Sequence, residues 1–217
     1  MQEIYEINNI IAILIAYLIG SVPSAIWVSK WFFGVDVRDY GSKNAGATNT
    51  FRVIGKKAGF TVLFFDILKG WGAVKLLAYI FAIYPFNSDQ YVNLQLAIGM
   101  TSVIGHVFPV YAGFKGGKGV ATLLGIVLAI NLPAAGLSAF LFFIIFLVSR
   151  YVSLGAIVAA TFFPFFTIYI FKAQSPSLIY FSIVISMLVI ITHRKNISRL
   201  LKQEEGKMPL NLRFKKE

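Results

Sequence analysis

Long runs of apolar residues, separated by short polar segments, occupy most of this 217-residue chain. A helix needs about 20 predominantly apolar residues to cross the roughly 30 Å hydrocarbon core of a bilayer. The runs therefore predict seven membrane spans: 8–29, 58–83, 93–112, 119–131, 134–149, 151–171 and 177–192. The fourth run is short and is followed by Pro133, which leaves open whether it crosses fully or is broken. The predicted fold is an all-α integral membrane protein, with residues 1–217 forming one polytopic domain.

Composition favours a membrane protein over a soluble one. Hydrophobic residues make up 58% and charged residues 13% of the chain, and the mean hydropathy is +0.75; soluble domains are roughly half apolar and about a quarter charged. No basic segment precedes the first apolar run and no small-residue cleavage site follows it, so we expect a transmembrane helix there rather than a removed signal. The absence of cysteine excludes disulfides, thiolate metal sites and a thioester on the protein.

Positive charge is confined to a few segments, and this predicts the orientation. Seven spans would place residues 30–57, 113–118, Arg150 and 193–217 on one face, and these segments contain 17 of the 20 Lys and Arg residues. By the positive-inside rule that face is cytoplasmic, so we expect the N-terminus outside and the C-terminus in the cytoplasm. A five-span alternative, which omits the fourth and fifth runs, gives the same orientation.

The longest polar island spans residues 36–52 and mixes small hydroxyl and amide side chains with glycines. Such residues supply many hydrogen-bond donors in little volume, and an arginine offers a guanidinium fork to a phosphate. The alternative is a solvated loop whose arginines set the topology, but topology needs no uncharged polar residues. The candidate substrate contacts here are Ser42, Asn44, Gly46, Asn49 and Arg52.

The second island, residues 113–119, reads Gly-Phe-Lys-Gly-Gly-Lys-Gly. Glycines let backbone N–H groups turn toward a ligand and lysines add positive charge, so the pattern predicts a cradle for an anion such as phosphate. It fails as a nucleotide-binding P-loop, because Ala112 stands where that pattern needs glycine and Gly119 where it needs a hydroxyl. A tight turn between two helices is the alternative. The candidate ligand contacts are Lys115, Gly116, Gly117 and Lys118.

The third island, residues 192–200, directly follows the last apolar run. If the helix continues, His193 and Asn196 share one face at i and i+3, with an arginine a further turn along. That face would carry a candidate base, an amide and a cation. A basic segment attracted to anionic lipid is the alternative, and it is sufficient to explain Arg194 and Lys195.

A few polar residues stand within or beside the apolar runs. Asp66 and Lys69 lie at i and i+3 in the second run, where ionisable groups are expensive, so they form either a mutual ion pair or a ligand site. His106, a lone histidine near a helix end, is more typical of a packing residue than of a catalyst. Ser153 is either an ordinary helix-start hydroxyl or a further polar member of the site.

In this order and spacing, the islands resemble the PlsY family of bacterial acyl-phosphate:glycerol-3-phosphate acyltransferases. The motifs that carry the resemblance are Gly20-Ser21-Val22-Pro23-Ser24, Gly41 to Arg52, Asp66 to Gly70, Gly105 to Gly119 and Thr192 to Glu205. The resemblance implies an enzyme of the bacterial inner membrane, with its site toward the cytoplasm, that makes lysophosphatidic acid and inorganic phosphate from acyl phosphate and glycerol-3-phosphate. It implies no cofactor, metal or nucleic acid, a monomer in contact with membrane lipid, and an upstream enzyme that forms acyl phosphate.

The resemblance also implies roles for particular residues. Carried over by position, the family's functional residues correspond here to Ser42, Arg52, Lys115, Ser153, His193, Asn196 and Glu205. Of these, four are implied as catalytic: His193, Asn196, Ser42 and Arg52. Lys115 and Ser153 are implied as substrate-binding, and Glu205 as structural support. The tail departs from the family pattern, because Lys202-Gln203-Glu204-Glu205 has no glycine where relatives commonly have one. The choice between Glu204 and Glu205 therefore stays open.

A mechanism follows from the charges of the two implied substrates. Both are anions, so their shared site needs several cations and N–H donors. We expect direct attack of the glycerol-3-phosphate 1-hydroxyl on the acyl carbonyl, without an acyl-enzyme, because phosphate is a good leaving group and proximity supplies much of the rate. His193 is the candidate general base. It could equally serve as a hydrogen-bonding ligand while the substrate's own phosphate takes the proton.

Two other functions compete with this prediction. Intramembrane charges and a short fourth run also suit a transporter, but polar residues concentrate toward one face and the chain has no internal repeats. A lipid-binding scaffold would need the basic tail but not the glycine motifs. An acyl-CoA-dependent enzyme of the HxxxxD type is disfavoured, because the residues five positions after His106 and His193 are Tyr111 and Ser198.

Overall fold

The computed structural model describes residues 2–81, 84–86 and 88–208, with side chains from residue 7 onward. Within these ranges the chain forms helices and no strand. The α-helices are α1 Gln2–Gly20, α2 Ser24–Phe33, α3 Ala47–Val53, α4 Lys56–Gly72, α5 Ala78–Phe81, α6 Asp89–Val107, α7 Val120–Ile130, α8 Leu132–Ser149, α9 Val152–Phe165, α10 Pro176–Thr192 and α11 Arg194–Leu201. The basic tail 209–217 and the end of the second predicted span, residues 82–83, lie outside the described residues.

Short helices of other types connect or extend several of these elements. One-turn 3₁₀-helices occur at Val37–Asp39 and Val110–Ala112. A π-helical turn, Ala73–Leu77, joins α4 to α5, and another, Phe166–Ile170, extends α9. As a result, α4 and α5 form one uninterrupted helical rod, as the second apolar run predicts.

Several helices are long and apolar enough to span a membrane, which confirms the predicted class of fold. Among the described residues, four qualify by length and composition: Ile7–Phe33, Asp89–Ala112, Leu132–Ser149 and Val152–Ile170. α10 and α11 together make a fifth candidate, although they are bent by 60° relative to each other. α8, the fifth apolar run that the five-span alternative omits, is thus one of the candidates. α7 is the short one, with 11 residues.

The first predicted span, 8–29, is wrong in one respect, because the helix is interrupted between Gly20 and Ser24. Pro23 has no N–H to donate to the helix. At the interruption, the carbonyl of Val22 accepts from the Lys69 ammonium at 2.8 Å. Small residues and Pro23 mark this break in the sequence, because proline ends or kinks a helix, but the average hydropathy of the run 8–29 conceals it. α2 then continues to Phe33, beyond the predicted end.

The helix that was expected to continue through the third island instead turns at His193. The His193 carbonyl accepts from the backbone N–H groups of Asn196 and Ile197 at 2.8 and 2.9 Å, which starts α11 in a new direction. His193 and Asn196 therefore do not share the face of one straight helix. They lie on either side of the bend.

Small residues allow the inner helices to pack closely. α1 packs along α6, and α4 packs along α7. A side chain at Gly125 in α7 would collide with the backbone carbonyl of Ile67 in α4, an approach of the kind that small residues permit in membrane helix pairs. α8 lies on the outside, where its large apolar side chains are mostly exposed and suit contact with lipid.

Direct hydrogen bonds bring the basic segments together at one end of the helix bundle. Arg38 donates to the Ala112 carbonyl at 3.1 Å, and Arg52 donates to the Gly206 carbonyl at 2.7 Å. The Arg150 carbonyl accepts from the backbone N–H at residue 208 at 2.9 Å. Segments that are distant in sequence, and predicted to lie on one face, are thus in contact.

Candidate active site

A cleft of about 460 Å³ opens at this end of the bundle, between the three polar islands. It is lined by Ser42, Lys43, Asn44, Gly117, Lys118, Ile191, Thr192, Arg194, Lys195 and Arg199. Five of these ten residues are cationic and none is acidic, so the lining is electrostatically suited to an anion. Ser42, Asn44, Gly117 and Lys118 are predicted site residues that the structure brings together here.

The first island is folded around the side chain of Asn49, which is buried. Its Oδ1 accepts from the Ser42 backbone N–H at 2.8 Å, and its Nδ2 donates to the carbonyls of Val37 and Tyr40 at 2.8 and 3.1 Å. All three bonds hold the loop, so Asn49 positions Ser42 at the cleft. Gly46 also holds the loop, because its carbonyl accepts from the backbone N–H groups of Asn49 and Thr50 in the first turn of α3.

The second island contacts the cleft differently from the predicted backbone cradle. The N–H groups of Gly116 and Gly117 donate to the carbonyls of Val107 and His106 at 3.1 and 3.2 Å. These two donors therefore bond to the end of α6. The prediction that they turn toward a ligand is wrong. Gly119, at φ 80°, adopts the left-handed conformation that lets the chain enter α7.

The two lysines of the second island lie in different places. Lys118 is largely buried and lines the cleft, where its ammonium donates to Asn196 Oδ1. Lys115 is exposed and lines an adjacent depression of about 670 Å³, together with Arg38 and Lys43. Lys43 borders both spaces. Both lysines are predicted ligand contacts and the resemblance singles out Lys115, but the fold places Lys118 in the cleft and Lys115 in the adjacent depression.

Glu205 is the centre of a hydrogen-bonded group beneath the cleft. Its Oε1 accepts from Ser153 at 2.8 Å and from Asn196 Nδ2 at 2.7 Å, and its Oε2 accepts from Arg199 at 2.7 Å. Glu205 is 6% exposed whereas Glu204 is exposed, which identifies the acid that supports the site. Burial acts to raise the pKa of Glu205, but its three hydrogen-bond donors hold that pKa below the ordinary value.

His193 lies in the same region, and its side chain is buried. Its Nδ1 is 2.8 Å from the Val189 carbonyl. Because a carbonyl oxygen only accepts, Nδ1 carries the proton and Nε2 is left as the lone-pair nitrogen. Burial, together with the nearby Lys118 ammonium, lowers the pKa of His193 to about 4, so the imidazole is neutral at neutral pH.

Lys118 has an unusual protonation equilibrium for a lysine. Burial lowers its pKa to about 8, aided by the positive charges of Arg199 and Arg52 and opposed by the Glu205 carboxylate. Lys118 is therefore a cation at neutral pH that loses its charge within the mildly alkaline range. An anion bound beside it would favour the charged form.

Arg52 faces the segment that follows α11, residues 203–208, which we call the strap. One guanidinium nitrogen, Nη2, donates to the Gly206 carbonyl. Nε is buried and has no hydrogen-bond partner among the described residues. The strap thus holds Arg52 in place while leaving part of its donor capacity unused.

Three residues that line the cleft were missed by the sequence analysis. Lys43 stands between two candidates but was not considered, and its position in that run is the signal that could have identified it. Arg194 and Lys195 were assigned to lipid attraction, yet they line the cleft. They directly follow His193, so proximity to a candidate was again the available signal.

The strap begins with a residue in an unusual backbone conformation. Gln203 has φ 60°, in the left-handed region. Glycine adopts this conformation without a steric penalty, whereas other residues pay roughly 1–2 kcal/mol. A glycine at this position would thus suit the turn that brings Glu205 beneath the cleft.

Comparisons with known proteins show which proteins the chain is similar to. The chain matches a family model described as glycerol-3-phosphate acyltransferase over residues 10–203. It is 41% identical over 203 residues to a glycerol-3-phosphate acyltransferase of Staphylococcus aureus strain bovine RF122 / ET3-1, covering 92% of this chain and 97% of the relative. The corresponding protein of Staphylococcus aureus strain JH9 is 40% identical with the same coverage.

Two crystal structures of PlsY, described as an integral membrane glycerol 3-phosphate acyltransferase, are similar to almost the whole chain. The glycerol 3-phosphate form has a TM-score of 0.81 and 40% identity, covering 93% of this chain and 96% of that chain. The lysophosphatidic acid form has a TM-score of 0.78 and 39% identity, covering 94% and 97% respectively. At this identity and coverage, the likeness extends to sequence as well as fold.

The substitution Gln203→Gly should stabilise the protein by up to about 1 kcal/mol, because it removes the left-handed strain at a small cost in unfolded-chain entropy. Thermal unfolding in detergent measures the change. Glu204→Gly is the matched control: its φ is not positive, so glycine there should only destabilise. Equal stability of the two variants would contradict the prediction.

The affinity of the cleft for an anion should fall as the pH rises through about 8, the pKa of Lys118. Sulfate is a suitable probe because its charge is constant over this range. Loss of one charge-assisted contact should weaken binding about tenfold between pH 7 and pH 10, measured by titration calorimetry. Lys118→Arg, which stays charged, should show no such fall; a pH dependence that persists in that variant would refute the assignment.

Proposed function

The chain belongs to the PlsY family of glycerol-3-phosphate acyltransferases, and we propose that it transfers a fatty acyl group from acyl phosphate to the 1-hydroxyl of glycerol-3-phosphate. The products are lysophosphatidic acid and inorganic phosphate. The observation that carries the proposal is the cleft itself, in which three polar islands meet with five cationic side chains and no acidic one. Two anionic reactants need such a surplus of positive charge if they are to lie close together.

Acyl phosphate is the proposed donor because the site contains little that would activate a poorer one. Phosphate leaves readily, so binding and orientation supply most of what the reaction needs. The sequence has no cysteine to form a thioester, and neither histidine is followed by aspartate five positions later. The donor's phosphate is also the chemical group that the cationic lining is suited to hold.

The cleft residues are assigned roles by their positions. Lys118, Arg194 and Arg199 would neutralise the two phosphates, while Ser42 and Asn44 would supply uncharged hydrogen bonds at the opposite wall. Arg52, held by the Gly206 carbonyl, would add positive charge near the cleft. Lys115, in the adjacent depression, would attract anions toward the cleft. We assign Asn49, Gly46, Ser153 and Glu205 to holding this arrangement.

The reaction is proposed to proceed in one step. The 1-hydroxyl oxygen of glycerol-3-phosphate attacks the acyl carbonyl carbon, the bond from that carbon to the phosphate oxygen breaks, and phosphate departs with the electron pair. His193 Nε2 is positioned as an acceptor, but with a pKa of about 4 it is a weak base. We therefore assign His193 to orienting the hydroxyl, with the departing phosphate receiving the proton.

The proposed topology has seven spans, with the N-terminus outside and the cleft facing the cytoplasm. The spans would be α1 with α2, α4 with α5, and each of α6 to α10. The odd number separates the termini, and the positive charge gathered around the cleft supports a cytoplasmic orientation. In a bacterial inner membrane, this places the cleft where glycerol-3-phosphate and an upstream acyl-phosphate-forming enzyme would be found.

Purified protein should release inorganic phosphate from palmitoyl phosphate only when glycerol-3-phosphate is present, with lysophosphatidic acid formed in equal amount. A colorimetric phosphate assay and mass spectrometry measure the two products. Transfer from palmitoyl-CoA at a comparable rate would reject the proposed donor. An acyl group trapped on Ser42 or any other residue would reject the single-step reaction.

The substitution His193→Ala should raise the KM for glycerol-3-phosphate while lowering kcat by less than about tenfold, because an orienting hydrogen bond is lost but no proton acceptor. Steady-state kinetics separate the two constants. A kcat reduced by about a thousandfold at saturating glycerol-3-phosphate would instead make His193 the general base. Thr192→Ala, beside it in the cleft wall, is the control for local disturbance.

A further inference from the structure

A second group of polar side chains lies inside the bundle, below the cleft. It consists of Ser24, Asp66, Lys69, His106 and Thr122, all of them buried, and we call it the buried polar cluster. Asp66 Oδ1 accepts from Ser24 at 2.5 Å and from Lys69 at 2.8 Å, which confirms the predicted ion pair. His106 Nδ1 is 3.2 Å from the Thr122 hydroxyl and 3.6 Å from Asp66.

The energetics of this cluster indicate more than a contribution to stability. An ion pair buried among membrane helices loses hydration on both partners, and replacement by apolar residues is often neutral or stabilising. Ionisable residues in such positions therefore usually serve a function. None of the cluster's side chains is among the residues that line the cleft. The cluster can therefore affect the cleft only through another part of the protein.

That connection is made by the end of α6. The His106 carbonyl accepts from the Gly117 N–H, and the carbonyl of the next residue accepts from Gly116. The His106 ring also lies against Gly117 so closely that any side chain there would collide with Nε2. Lys118, the buried cation of the cleft, is the following residue. His106 thus contacts and supports the backbone directly before Lys118.

The opposite side of the cluster is fixed as well. Lys69 donates to the Val22 carbonyl at the interruption between α1 and α2, and Ser24 begins α2. Asp66 is therefore held in place by Ser24 and Lys69, independently of its contact with His106. The ring bonds to Thr122 through Nδ1, which also faces the anchored carboxylate, and its Nε2 side lies close against Gly117. It therefore has little freedom to tilt, and neither has the glycine segment beside it.

We propose that the buried polar cluster positions the Gly116–Lys118 segment, which makes Asp66 and His106 positioning residues for the anion site. This inference rests on the proposed function, since it names how the substrate-binding lysine is held. Displacement of His106 should shift Lys118 away from Asn196 and weaken glycerol-3-phosphate binding. The acyl-transfer step itself should be less affected.

The test compares His106→Phe with His106→Asn. Phenylalanine keeps the bulk of the ring without its hydrogen bonds, and should raise the KM for glycerol-3-phosphate about tenfold, with kcat within about threefold of the original. Asparagine places an amide near the Nδ1 position and should restore most of the affinity. Gln95→Leu, another buried polar residue of α6 but outside the cluster, is the matched control and should leave KM unchanged.

An unchanged KM in His106→Phe, or a raised KM that His106→Asn does not restore, would overturn the proposal. If His106→Phe does not fold, Thr122→Val decides, because it removes the hydrogen-bond partner of Nδ1 at nearly constant shape; an unchanged KM there also overturns the proposal. The unaltered protein is assayed in parallel. If it shows no phosphate release dependent on glycerol-3-phosphate, the proposed function fails, whereas normal activity with unaffected variants rejects the positioning role alone.

Discussion

The arrangement of this site depends on the burial of Glu205 beneath the cleft. A carboxylate removed from water is stable only when donors surround it, and Ser153, Asn196 and Arg199 provide them. These donors lie at the start of α9 and along α11, so one side chain fixes the relative positions of two helices and the strap. Asn196 Oδ1 also accepts from the Lys118 ammonium. This contact links the Glu205 group to the glycine segment.

This chain of contacts leaves a strong excess of positive charge at the cleft. Glu205 compensates part of it from below, and the lining carries five cations without a carboxylate. Such an arrangement is costly without a bound anion: the pKa of Lys118 is lowered first by burial and then by the positive charges of Arg199 and Arg52. It becomes favourable when phosphate groups enter, so the strain among the cations is relieved by the substrates themselves.

Much of the fold could be predicted from sequence because membrane spans depend on a long-range average of hydrophobicity. The family prediction is confirmed by the family model, which matches residues 10–203, and by a relative that is 41% identical over 203 residues. Pro23 marks the break before Ser24, but nothing in the sequence indicates that Lys69, a distant residue, donates to the Val22 carbonyl there. Nor does the glycine-lysine pattern show which of Lys115 and Lys118 lies in the cleft, because that depends on what the surrounding helices cover.

The hydrogen bonds also argue against a covalent mechanism. A serine nucleophile needs a base beside it and a third group that orients that base. Here Ser153 donates to Glu205, and the Nδ1 of His193 is engaged by a backbone carbonyl rather than a carboxylate. Among the described residues of the cleft, the polar groups are thus arranged to hold anions and orient a hydroxyl. With a donor that contains its own leaving group, proximity and charge are what the protein needs to provide.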